Sequence, residues 1–433
     1  MRPRPRVAVV GAGWSGLAAA VALVERAEVS LLEAAPQVGG RARRVAADGE
    51  SIDNGQHILL GAYRDTLAVI TRVEGDVRKL FLRLPLELHF PGLVRLRAPR
   101  HCPAPLNVAM ALACARGLDW RDKWGMLRLA TALSLREPPS GMSVSSLLAA
   151  HGQTERARRF IWEPLCVAAL NTQAHEASAR VFARVIRDAL MHGRADSDLL
   201  IPRHDLSRIF PDLALTYLEA RGGVVRTRAL VRGIRTTEAG VSLRLDDKTE
   251  EFDAAICALP PHAAAAILRE SADAAGLCAT LESYDYEPII TCYLWYPPGT
   301  RLPSPMIGLS GAIAQWAFDR GSLGGAPGLI AVVVSAAARL REATGPSLAE
   351  SIDAELRREF PALPPPVRSR VITDRRATFR CTPGVSTPAC RLPSGPLYFA
   401  GDHMIPGYPA TLESAVRSGG SAARLLLADL LAG

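Results

Sequence analysis

Residues 7–10 form an unbroken apolar run bounded by glycine, the pattern of a short strand buried on both faces. Helical spacing then extends to about Arg26, and residues 29–32 repeat the strand pattern. That order predicts a parallel βαβ unit at the head of the chain. From about residue 66 to 200 the pattern changes character. Residues 78–97 alternate short apolar and polar stretches broken by Pro85 and Pro91, which predicts extended segments at a pocket wall. Helices are expected over 106–118 and 123–135, ended by the turn at 138–141, with Ser143 capping the next one. Residues 160–171, interrupted by Pro164, and 177–191 continue this helical layer.

Residues 206–221 give a further helix, stopped by Gly222 and Gly223, before strands over 224–231, at Arg235, and over 241–245 and 252–259. The last of these, closed by Pro260 and Pro261, reads as a return to the first sheet, so the first domain is discontinuous. Residues 289–296 and 329–335 are strongly strand-like, and 347–360 is an amphipathic helix with Leu348, Ile352, Leu356 and Phe360 on one stripe. A strand over 397–402 and a closing helix from Thr411 complete the sheet; small residues on that helix allow close approach to another backbone or a cofactor edge. The expected organisation is one domain over residues 1–65, 200–261 and 390–433, with a second over 66–199 and 262–389 inserted into it.

Candidate chemistry begins at Gly11, Gly13 and Gly16, a G-x-G-x-x-G spacing between strand and helix that includes Ser15. Gly11 permits a tight turn, Gly13 leaves room for a pyrophosphate at the helix N-terminus, and Gly16 lets the helix approach the strand. Glu33 stands at the end of the second strand, where a carboxylate accepts hydrogen bonds from ribose hydroxyls and disfavours the 2′-phosphate of NADP. Gly39 and Gly40 supply a second flexible turn, and Arg41 offers a fork of donors to phosphate oxygens. The polar turn over 53–57 brings His57 beside an apolar run, as a candidate to contact a ligand.

With 433 residues, 48% hydrophobic and 22% charged, the chain is a folded protein of two or three domains and not a disordered one. Its formal charge of +8 is carried almost wholly by arginine, since lysine occurs only at Lys79, Lys123 and Lys248. Such a surface is drawn to anionic lipid. Nucleic acid is not an expected partner, because the arginines are scattered and no basic stretch is interleaved with aromatics. The eight cysteines form no C-x-x-C pair, which fits reduced thiols better than a zinc site or a disulfide scaffold; no metal site is expected. No apolar run approaches the roughly 18 residues of a spanning helix. The first apolar run enters the first strand directly, so the expectation is a cytoplasmic protein without a signal peptide, attached peripherally at the inner face of the membrane. The unusually apolar helix over 106–118 is either buried in the second domain or dips into a bilayer surface and guards a greasy entrance.

The glycine motif with Glu33, the Val-Gly-Gly-Arg sequence ending at Arg41, and Phe-Ala-Gly-Asp ending at Asp402 followed by the segment from Thr411 to Gly419 together resemble the FAD-dependent amine oxidases and carotenoid-type desaturases. The resemblance spans nearly the whole chain. It implies an α/β fold: a Rossmann-like, glutathione-reductase-like FAD-binding domain with an inserted, discontinuous α+β substrate domain. It also implies that Glu33 holds the adenosine ribose, Gly39, Gly40 and Arg41 lie along the pyrophosphate, and the backbone at Val231 meets adenine. Gly401 and Asp402 would approach the pyrophosphate and ribityl chain, with Thr411, Leu412 and Glu413 near the flavin. Within the superfamily, the segments 53–63, 162–171 and 401–411 look most like the hydroxysqualene dehydroxylase branch, which implies reductive loss of a hydroxyl from a C30 isoprenoid. A carotenoid-type desaturase, an amine oxidase and a noncatalytic flavin-stabilised lipid-binding protein are the alternatives. Many amine oxidases of this fold place a lysine near the flavin, and here none follows Lys248.

Loss of a hydroxyl from an allylic alcohol needs protonation or a strong hydrogen bond at oxygen. Candidates by residue type are His57, Asp285, Glu287, Asp374, His403 and Glu413, with His57 and His403 first because their motifs should lie near the cofactor. Asp285 and Glu287 also fit a solvated strand edge, and Asp374, with Arg375 and Arg376, a surface or interdomain ion-pair segment. The donor that reduces the flavin has no signature in the chain. A substrate this apolar would be held by area burial and loaded from a bilayer.

Overall fold

The computed structural model describes residues 4–47, 49–269, 271–340 and 346–432, so the start of the basic lead, residues 1–3, lies outside the described residues. Strand Arg6–Val10 pairs in parallel with Glu28–Leu32 on one side and Ala254–Cys257 on the other. Val224–Arg226 and Leu397–Phe399 extend the edges to give five parallel strands. A parallel sheet must be covered on both faces. Helices Trp14–Leu23, Pro211–Glu219 and Leu412–Ala432 cover one face. The other lies beneath the antiparallel strands Gly233–Thr237, Gly240–Arg244 and Thr249–Phe252 and helix Pro261–Leu268. The small residues of the closing helix are used at Gly419, where a Cβ would lie 2.1 Å from the Ser15 carbonyl oxygen. Ile70, Leu80 and Phe81, beyond residue 65, pack in the same core as the closing helix.

The chain forms an α/β fold, a Rossmann-like parallel-sheet region with a second, mixed α and β region inserted into it. In the insertion, Met306–Gly308, Trp316–Asp319, Leu329–Val334, Tyr286–Trp295 and Arg368–Phe379 build an antiparallel sheet. Helix Pro346–Glu359 buries Leu348, Ile352 and Leu356 against one face. A helical layer closes the other.

Several elements differ from expectation for local reasons. The helix expected over 106–118 is Leu106–Ala113; Gly117, at φ +77°, sits so close to Leu93 that a Cβ would lie 1.8 Å from its carbonyl oxygen. The next helix starts earlier, at Trp120, because Asp119 and Asp122 form a reciprocal capping box. The helix over 206–221 is split into Leu206–Ile209 and Pro211–Glu219, since the ring of Pro211 disfavours helical geometry at Phe210. Pro164 does not break its helix: it occupies the first turn of Glu163–Leu170, after a π-helical turn at Arg158–Trp162.

Candidate functional site

The turn after the first strand opens into a cavity of about 550 Å³. Gly11 adopts φ +100°, and a Cβ at Gly16 would lie 1.9 Å from the Gly11 carbonyl oxygen, so these glycines fold the turn tightly. Gly13 differs, because a Cβ there would meet nothing nearer than the Gly40 Cα at 4.0 Å, an ordinary van der Waals contact. The first N–H groups of helix Trp14–Leu23 have no intrahelical acceptor, and Gly13 offers no side-chain cap. They remain available to a phosphate. Glu33 sits on the cavity wall with its two oxygens accepting from the Ala12 and Ala35 amides at 2.8 and 2.9 Å.

Of the sequence candidates, Gly11, Gly13, Ser15, Glu33, Gly39, Gly40, Arg41, His57, Gly401, Asp402, Thr411 and Leu412 line this one cavity. Gly16 serves packing behind it. Val231 is buried under the far face of the parallel sheet and is not among the lining residues. Arg41 lines the wall, yet its guanidinium is engaged by Asp402 at 2.7 Å and the Ala377 carbonyl at 2.8 Å, instead of standing free as a phosphate fork. Burial alone would push the Asp402 carboxyl up; the Arg41 charge overrides this and holds it at about 2.

Two catalytic candidates lie elsewhere. Glu413 is fully buried, accepting from the Asp65 and Thr66 amides, the Thr66 hydroxyl and Arg417, so its carboxylate caps helix Arg64–Glu74 and is not among the residues lining the cavity. His403 is buried behind Gly401, with Nδ1 3.6 Å from Asp402 Oδ1 and its ring against Tyr284, and it too is not a lining residue. Asp285 is exposed, and Glu287 pairs with Arg380 beside a separate groove. Asp374, a candidate acid that also fitted a surface or interdomain ion pair, lines the cavity at the first-strand turn.

His57 remains on the wall. Its Nδ1 lies 2.7 Å from the Gly55 carbonyl, which assigns the proton to Nδ1 and leaves Nε2 as an acceptor. Burial lowers its pKa below the ordinary 6.5, outweighing the Gly55 carbonyl and the Asp374 charge, which raise it. The ring is therefore neutral near pH 7 and presents an acceptor rather than a proton.

A second cavity, also about 550 Å³, adjoins the first and is almost wholly apolar. Ile58, Tyr63, Ala168, Ala169, Met306, Trp316 and Thr411 line both. Leu86, Leu88 and Leu96, from the extended segments over 78–97, form part of its wall. Among its described lining residues the one charged side chain is Asp188. Burial raises the Tyr63 pKa far above its usual value, so the phenol at the junction keeps its proton. Tyr63 was missed as a site residue although it closes the polar-turn segment over 53–63; only the antiparallel pairing of Leu59–Leu60 with Leu199–Pro202 brings it between the cavities.

The first cavity suits a dinucleotide carrying a flavin. It joins a helix N-terminus open to phosphate with a carboxylate for ribose. Arg43 Nε and Gln56 Oε1 are buried there without a hydrogen-bond partner among the described residues.

A sequence profile described as flavin containing amine oxidoreductase matches residues 14–427. The chain is 31% identical over 446 residues to a hydroxysqualene dehydroxylase of Rhodopseudomonas palustris, covering 98% of each chain. It is 29% identical over 438 residues to the hydroxysqualene dehydroxylase of Zymomonas mobilis, covering 97% of this chain and 98% of that one. Its fold is similar to that of an oxidoreductase from Methanosarcina mazei, with a TM-score of 0.75 at 18% identity over 97% of this chain and all of the other.

Proposed function

Because this chain belongs to the flavin containing amine oxidoreductases and is an FAD-dependent oxidoreductase, we propose that it reduces hydroxysqualene to squalene. The observation that carries this reading is the apolar cavity adjoining the cofactor cavity. A C30 isoprenoid gains affinity by burying area, and a cationic amine would find one carboxylate, Asp188, on the lining.

The reaction breaks one C–O bond and forms one C–H bond. The departing oxygen takes a proton and leaves as water, while carbon receives a hydride, two electrons with one proton. Reduced flavin, when bound, supplies that hydride equivalent. Glu33 would hold the ribose, and the glycine turns with the first helix N-terminus would hold the pyrophosphate. At the junction, the Tyr63 phenol would donate a hydrogen bond to the departing oxygen, and neutral His57 would accept one from a nearby hydroxyl or N–H. The apolar wall excludes water from the developing cation. Supply of so insoluble a substrate is read as coming from the inner face of the cytoplasmic membrane. No helix among the described residues is long and apolar enough to cross one.

Anaerobic photoreduction of the holoprotein followed by addition of hydroxysqualene tests the reading. Flavin reoxidation matched one for one by squalene supports it. A flavin that stays reduced with substrate bound transfers the chain to the oxidative reactions, desaturation or amine oxidation.

A further inference from the structure

The two helices along the apolar cavity turn apolar faces to solvent. Helix Leu106–Ala113 carries no charged side chain; it buries Asn107, Ala111 and Leu112, while Leu106 and Met110 are 58% and 49% exposed. Helix Trp120–Leu135 buries Gly125, Met126, Leu129 and Leu133. On its other side Trp120, Trp124 and Leu127 recur at helical spacing and are 71%, 57% and 42% exposed. An ordinary solvated helix face is polar, and a contiguous apolar one marks an interaction surface.

This surface continues into the cavity, because Leu106 and Leu127 are both exposed and part of the cavity wall. Its charge is one-sided. Arg116, Arg121, Lys123 and Arg128 surround the apolar side chains, and the two acids of the segment, Asp119 and Asp122, are tied into the capping box. Tryptophan at the border of an apolar face, ringed by Arg and Lys, suits the headgroup layer of an anionic bilayer.

We propose that the face formed by Leu106–Ala113 and Trp120–Leu135 docks on an anionic lipid bilayer, so that the apolar cavity opens onto the hydrocarbon. This deepens the lipid-substrate reading and rests on it for its purpose, although the docking can be measured with no substrate present.

Trp14, Trp162, Trp295 and Trp316 are buried, so the two exposed tryptophans report on this face. The FAD-loaded protein is mixed with phosphatidylglycerol-containing vesicles bearing brominated acyl chains. Tryptophan emission should be quenched and blue-shifted, and the quenching should disappear in the W120F/W124F protein while flotation persists. W120E/W124E should reduce the vesicle-bound fraction by about tenfold, with a melting temperature like that of wild type. Absence of quenching, or equal quenching in W120F/W124F, overturns the proposal. So does a dimer in sedimentation that W120E/W124E dissociates, since the face would then belong to a second copy of this chain. Turnover of detergent-dispersed hydroxysqualene by the wild type is scored separately; its failure removes the catalytic reading and leaves the quenching result intact.

Discussion

Arg41 Nη2 lies 2.7 Å from Asp402 Oδ2, tying the second glycine turn to a carboxylate 361 residues further along the chain. The pair holds two walls of the cofactor cavity together. R41A leaves a buried carboxylate without its cation. Arg41 is about a third exposed, so solvent screening reduces the loss to roughly 1–3 kcal/mol. The expected outcome is a lower melting temperature and weaker FAD retention on gel filtration, with D402N milder than R41A.

The same pair sets an acid limit. Asp402 titrates at about 2 in the folded protein against an ordinary 3.8. Its folded value is depressed, so its stabilisation is fully present above about pH 4 and is lost as pH falls toward 2. Urea unfolding of the wild type across that window should show the loss, and D402N should lack this component.

Gly13 and Gly16 separate cofactor binding from folding. G16A puts a Cβ 1.9 Å from the Gly11 carbonyl oxygen and should abolish soluble expression. G13A meets no protein atom nearer than 4.0 Å but adds a methyl group to the cavity wall proposed to hold the pyrophosphate. Its apoprotein should fold, with a normal far-ultraviolet circular dichroism spectrum, and purify colourless.

Glu413 is expected to be a stability residue. Removing a fully buried carboxylate that accepts from two amides, a hydroxyl and an arginine costs about 3 kcal/mol. E413Q should melt lower yet turn over substrate normally per bound flavin below its melting temperature. A hundredfold drop in turnover with unchanged melting would return Glu413 to catalysis.

His57 gives a pH test with a definite sign. If its neutral ring is the working form, kcat/KM rises with pH through a value below 6.5 and is flat above it. An imidazolium acid would give the opposite limb. H57A should lower kcat by about 10- to 100-fold and remove that limb.

The first sheet was legible because its information is local. A strand, three glycines and a carboxylate at fixed spacing specify a turn, and residues 254–257 and 397–399 carry the same apolar run as residues 7–10. Closing-helix packing was legible from its small residues. Roles set by long-range approach were not. Glu413 stands next to two cavity-lining residues, Thr411 and Leu412, but helical geometry turns it the other way, onto the Arg64–Glu74 N-terminus. Asp374 lies on a strand that reads as exposed and charged, yet its neighbours make that strand a cavity wall. Tyr63 acquires its place only when Leu59–Leu60 pairs with a strand about 140 residues later.

Ala168 lines both cavities from helix Glu163–Leu170, where a larger side chain would narrow the passage between them. Its residue is exposed to these cavities and not packed in the core, so A168F should leave the melting temperature within about 1 °C of wild type. FAD content should be unchanged if Gly13 and Glu33 hold the dinucleotide as proposed, since neither lines the apolar cavity. If the substrate is the long isoprenoid proposed above, its reacting carbon must reach the flavin through this passage. The kcat/KM for hydroxysqualene should therefore fall about 100-fold or more in A168F, and A168G should stay near wild type. Reoxidation of the reduced flavin by dioxygen, a molecule small enough to pass, should be nearly unaffected in stopped-flow measurements. Equal losses in both reactions would mean that the substitution disturbs the flavin itself and that the two cavities do not work as one path.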